Sequence, residues 1–146
     1  MKKKNKGLLM ATVALLGIVS IGTAYAGQAA FHLQIPKAQG YVQTGDGTGN
    51  GYVTTPTANH AMVYLEAFTG IKAVTFYAGA YSSDGKTVTW GTTGSYIYRE
   101  DFEKGDQDEV SVPYGYTYGN GQKMGLRARN HNWSLNKGAV TGVVDY

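Results

Sequence analysis

The stretch GLRARNHNW, residues 125–133, sets Arg127, Arg129, His131 and Trp133 at every second position. In an extended strand alternate side chains share a face, so these four would stand side by side. Two guanidiniums on one face can hold carboxylates or phosphates through forked hydrogen bonds. A neighbouring tryptophan offers a flat apolar surface on which a sugar ring can stack. From Lys123 to Lys137 the chain carries four basic residues and no acid. The competing expectation is a solvated sheet face whose arginines pair with the acidic segment across the sheet, at about 0–1 kcal/mol per pair. Asn130 and Asn132 favour a turn, so His131 and Trp133 keep the parity only if the strand continues.

Tyrosines add a second set of flat rings. Tyr114, Tyr116 and Tyr118 share one face of YGYTY, and Tyr96 and Tyr98 one face of SYIY. Tyr116 is the tyrosine assigned as a stacking partner beside the arginines and Trp133. The alternative for each ring is cross-strand packing, worth about 0.2–1 kcal/mol per pair.

Three other segments invite chemistry. EDFEKGDQDE, residues 100–109, holds six carboxylates and one lysine. Asp106, Asp108 and Glu109 are candidate ligands for a hard cation such as calcium, which relieves carboxylate repulsion. The spacing fits no EF-hand loop, and a solvated hairpin loop is the competing expectation. TGDGTGNGY, residues 44–52, is glycine-rich, but no helix follows and no Lys-Ser/Thr ending closes it. It therefore reads as a surface loop rather than a phosphate cradle. The histidines, His32, His60 and His131, form no His-Glu-x-x-His pair, and no serine sits in a nucleophile elbow. Glu66 and Glu100 have no spacing that marks them as a glycosidase pair. The expectation is a non-catalytic protein with no cofactor beyond the calcium candidate.

These residues need elements to position them, and the chain supplies an address before it supplies a fold. MKKKNKG is basic, Leu8–Gly22 is apolar and uncharged over 15 residues, and Thr23-Ala24-Tyr25-Ala26 ends in small side chains. That order is a secretory signal, cut after Ala26. The apolar run falls short of the ~20 residues that span a bilayer. Of the 13 basic side chains, four leave with the leader, so residues 27–146 carry nine against ten acids, a net of −1. The net charge of +3 for the whole chain thus belongs to the leader and does not indicate nucleic-acid binding. No cysteine is present, which removes disulfides, thiol nucleophiles and a lipoprotein anchor. No second apolar span follows in the mature chain. The expected location is extracellular, from a Gram-positive exporter.

The remaining 120 residues suit one domain. They hold 18 glycines and 11 tyrosines but few leucines, a composition that favours strands over helices. Phe31, Leu33 and Ile35 alternate with His32 and Gln34. Val63, Leu65 and Ala67 alternate with Met62, Tyr64, Glu66 and Phe68. VTFYAGAYS runs into the Asp84-Gly85 hairpin signal, and KTVTWG follows with Val88 and Trp90 on one face. SYIYRE, VSVPYGYTY, KMGLRAR and AVTGVVDY complete the set, with Pro113 marking an edge or bulge and Asn120-Gly121 a turn. No helix is expected beyond the leader. Strands at roughly 8–12-residue spacing predict an all-β, single-domain antiparallel sandwich.

The leader, the lack of cysteine, the start AFHLQIP and the late LRARNHNWS before a terminal strand resemble an uncharacterised family of small secreted β proteins of Gram-positive bacteria. More distantly the plan is similar to lactococcin-type bacteriocins, exported cysteine-free β-sandwiches, in architecture alone. The second resemblance implies a target in the envelope of a sensitive cell. The residues themselves point to binding of the cell envelope, through a cell-wall polymer or another anionic glycan. A secreted bacteriocin-like antibacterial protein is the alternative.

Overall fold

The computed structural model describes residues 28–44, 52–53, 59–84, 86–115 and 122–146. Residues 1–27, which include the expected leader, the glycine-rich run 45–51, Gly85, Tyr116, Tyr118 and the Asn120-Gly121 pair lie outside the described residues.

Strands dominate, in the order β1 (Gln28–Ile35), β2 (Tyr41–Gln43), β3 (Tyr52–Val53), β4 (His60–Thr69), β5 (Ala73–Tyr81), β6 (Val88–Trp90) and β7 (Ser95–Tyr98). A short helix α1 (Arg99–Lys104) precedes β8 (Glu109–Pro113), β9 (Lys123–Asn130) and β10 (Gly138–Asp145). Two antiparallel sheets pack face to face. The first runs β1-β10-β4-β8; the second runs β2-β9-β5-β6, with β3 also on β9 and β7 also on β5. This is the all-β sandwich that the alternation predicts. No helix among the described residues is long and apolar enough to cross a membrane.

The pleat explains which residues fill the core. In β1, Ala29, Phe31, Leu33 and Ile35 are buried while His32 and Gln34 are exposed. In β9, Met124, Leu126 and Ala128 turn inward. Phe31 meets Phe76 across the two layers edge to face, with centroids 6.0 Å apart, a geometry that suits the ring quadrupoles. His32 bonds to Thr141 Oγ1 (2.8 Å) and to Gln34 Nε2 (2.7 Å) on the wet face of the first sheet.

Two expectations need correction. Ala67 is exposed and Phe68 buried, the reverse of a strict alternation in β4. The cause is a β-bulge: Thr141 pairs with Ala67 but Gly142 pairs with Leu65, so Glu66 is the extra residue and the parity inverts beyond it. Gly142 is required there, since a Cβ would overlap the Tyr64 carbonyl oxygen. Second, the acidic segment is not a hairpin loop. SYIYRE stops being a strand at Tyr98, and Arg99–Lys104 forms one helical turn and a half. Acids in its first turn and Lys104 in its last suit the helix dipole. Gly105 ends it in the left-handed conformation, φ 76°. Phe102 anchors the helix against Phe68, centroids 6.3 Å apart. Pro113 closes β8 at the edge of its sheet, where the missing N–H is tolerated.

Candidate functional site

β5 is buried along its entire length, although only one of its faces meets the other sheet. Its outer face carries Thr75, Tyr77 and Tyr81, and something must cover them. The cover comes from β9, β2, β6 and β7. Register places Tyr41, Arg129, Thr75 and Tyr96 in one row across four strands. The next row holds Gln43, Arg127 and Tyr77. The row after pairs Gly125, Gly79 and Trp90. A Cβ on Gly79 would lie 2.7 Å from the Trp90 ring, and one on Gly125 would lie 2.8 Å from the Tyr81 ring. These bare positions let both rings lie down over the strands.

Arg127 is inserted into this mat. Its guanidinium carbon lies 4.2 Å from the Tyr41 ring centroid, 4.8 Å from Trp90 and 5.0 Å from Tyr77. Arg129 lies 5.4 Å from Tyr41 and 5.6 Å from Tyr77. Both are within cation–π range. Burial pushes the Arg127 guanidinium below its ordinary pKa, opposed by the hydroxyls of Tyr41 and Tyr77. Guanidinium is basic enough to stay charged regardless. Tyr77 is raised, first by burial, while Arg129 pulls it down.

The expected alternative, arginines paired with the acidic segment, is not what the fold builds. The ion pairs of that segment close within α1: Arg99 Nε to Glu103 Oε1 at 3.3 Å, and Lys104 Nζ to Glu100 Oε1 at 2.6 Å. Neither Arg127 nor Arg129 pairs with a carboxylate among the described residues, and the Nε of each is buried without a hydrogen-bond partner.

β9 stops at Asn130, yet His131 stays on the arginine face. Its amide donates to Ala73 O at 3.0 Å, adding one more rung. Its ring stacks on Tyr96, centroids 4.2 Å apart, and its Nδ1 lies 2.8 Å from Thr75 Oγ1. Tyr98 meets Tyr96 edge to face at 5.4 Å. The four-residue face is thus three residues long. Trp133 leaves it, because the chain turns after the strand, and stands 67% exposed at the end of the sandwich.

There Trp133 lines a cleft of about 480 Å³ with Lys72, Arg99, Asn130, Asn132 and Ser134. Three connections meet to form it: β4 to β5, β7 to α1, and β9 to β10. A backbone bond from Arg99 N to Lys72 O at 2.8 Å joins the start of α1 to the β4–β5 connection, and one from Ala38 N to Ser134 O at 2.6 Å ties the β9–β10 connection to the β1–β2 turn. At its floor lies Asn130, fully buried, with neither Oδ1 nor Nδ2 bonded. The sequence carried a signal for this residue. Met124, Leu126, Ala128 and Asn130 share the inward parity, and a polar group at the end of an apolar series marks a special position.

Asp106, Asp108 and Glu109 are all exposed, and no three acidic or histidine side chains gather into a metal-holding group among the described residues. The calcium candidate is therefore not assembled by the fold. The helix takes up the front of the acidic run and sends the rest outward on a turn. Tyr114 is fully buried and belongs to the core rather than to a binding face. Tyr116 cannot be placed, as it lies outside the described residues. No protein-family model, curated protein or solved structure matches this chain.

Proposed function

We propose that the protein works outside the cell as a non-catalytic β-sandwich that binds an anionic polymer or glycan of the cell envelope. The outer face of the β2-β9-β5 sheet would be the contact surface. One observation carries this: two guanidiniums lie among Tyr41, Tyr77 and Trp90 with no carboxylate partner among the described residues. A charge that is not neutralised from within is available to a ligand. Stacking on rings holds the guanidinium planes in place, so less rotamer freedom is lost when a carboxylate or phosphate binds. Arg127 and Arg129 are two residues apart on one strand, about 7 Å, so successive acidic groups of an extended chain can engage both. The exposed rings of Tyr41 and Tyr96 flank the arginine row and suit the apolar faces of sugars. The leader at residues 1–26 supports the extracellular setting.

A sedimentation assay on purified Gram-positive cell walls tests the proposal. Binding should weaken steeply with added salt. Arg127→Gln with Arg129→Gln keeps much of the stem that covers Tyr77 and should lower retention about tenfold or more, since charge-assisted bonds are the strong ones. Undiminished retention by that double variant, with an unchanged melting curve, would overturn it.

A further inference from the structure

We infer that the end cleft is a separate saccharide subsite for a carboxylated sugar, a uronic acid unit at a chain end or within a chain. Neither Arg127 nor Arg129 lines it, so it can bind a sugar when those arginines do not.

The argument starts from Asn130. A buried amide with no partner is rare, because leaving the group unbonded has a free-energy cost. Here the residue lines the end cleft, with its amide atoms just out of reach of solvent. An amide offers donors and acceptors together, matching a sugar hydroxyl, which also does both. Asn132 and Ser134 add hydrogen-bonding groups on the same wall. Trp133 supplies an exposed ring beside these groups, a flat apolar surface with a polar edge that suits a sugar face. The volume suits one or two sugar rings, within the general range for ligand clefts.

Charge decides the class of sugar. Two cations line the cleft, Lys72 and Arg99. Arg99 already pairs with Glu103, and Glu100 with Lys104. Lys72 is exposed and pairs with no carboxylate among the described residues. Its ammonium remains to meet an acid on the ligand. A neighbouring hollow shares Lys72, Arg99 and Asn132, adds the carboxylates of Glu100 and Glu103, each paired within the helix, and reaches Tyr98. Through it the cleft opens toward the Tyr96, Tyr98 and His131 rings. A chain held at its acidic unit could run on from there.

The purified protein would be titrated with D-glucuronate and, separately, D-glucose. Tryptophan fluorescence and the side-chain amide resonances of Asn130 would be followed, with Trp133→Phe identifying the responding ring. Glucuronate should shift the Asn130 signals saturably, with glucose weaker by about tenfold, the worth of one charge-assisted bond. Asn130→Leu should abolish the response while keeping a cooperative melt, and Lys72→Gln should remove the preference for the acid. The Arg127/Arg129 double variant should respond like the parent. No shift at Asn130 with either sugar, a fluorescence change that survives Asn130→Leu, or equal affinity for glucose would each overturn the assignment.

Discussion

Replacing Asn130 with leucine should make the protein more stable. Asn130 is 0% exposed and both of its amide atoms lack partners. In proteins, an amide buried without a hydrogen bond costs about 1–3 kcal/mol. Leucine removes that penalty and continues the apolar series of Met124, Leu126 and Ala128. It is somewhat larger than asparagine, and overpacking offsets part of the gain. A net stabilisation of about 1–2 kcal/mol is expected, which for a domain of this size raises the melting temperature by roughly 4–8 °C. Calorimetry and urea unfolding of parent and variant would measure it, with an unchanged m value confirming the same exposed area. A loss of stability of more than about 1 kcal/mol would refute the reasoning, for it would mean that the amide is satisfied in the folded protein. Stability gained where binding is lost is the usual mark of a residue kept for function.

Arg127→Lys should cost about 1 kcal/mol in chemical denaturation, as the planar group stacked on Tyr41, Tyr77 and Trp90 is lost; no change would show that the rings do not hold the guanidinium. Gly142→Ala should destabilise by about 2 kcal/mol or more, because the new methyl meets the Tyr64 backbone at the bulge; a neutral result in thermal unfolding would argue against the bulge. Trp133→Ala should leave stability within about ±0.5 kcal/mol, given its exposure, and a large melting shift would mean that the ring is structural. Asp84 stands below the usual carboxylate range, chiefly because the Ser82 hydroxyl donates to it, with the Lys86 amide second. A depressed folded-state pKa means that its contribution is present above the ordinary carboxylate pKa and fades as pH falls through the folded value. The exchange protection factor of the Lys86 amide, taken against the intrinsic rate at each pH, should accordingly fall as pH drops through the folded-state value and hold above it; a pH-independent protection factor would contradict this.

Much of the site is legible as parity. Arg127 and Arg129 share a face because two-residue periodicity is local, and Tyr96 and Tyr98 do so for the same reason. The partners of those residues are not legible. Tyr41 and Tyr77 lie 86 and 50 positions before Arg127, and strand pairing alone brings them together. Asn130 lay in view on the inward parity, yet its meaning depends on a cleft built by three distant connections. The helix at Arg99–Lys104 is not legible because its six residues are too few for a periodic signal. Nor is the bulge at Glu66, because an inserted residue shows only against its partner strand.

The sequence by itself determined the all-β class, the core-facing residues of most strands and the acid-free basic segment, since alternation, composition and charge are local properties. Only the tertiary structure decided that the arginines meet rings rather than carboxylates, that His131 stays on their face while Trp133 leaves it, and that an unbonded amide floors the end cleft. Those outcomes depend on which strands become neighbours, and antiparallel pairing joins residues that chain order keeps far apart.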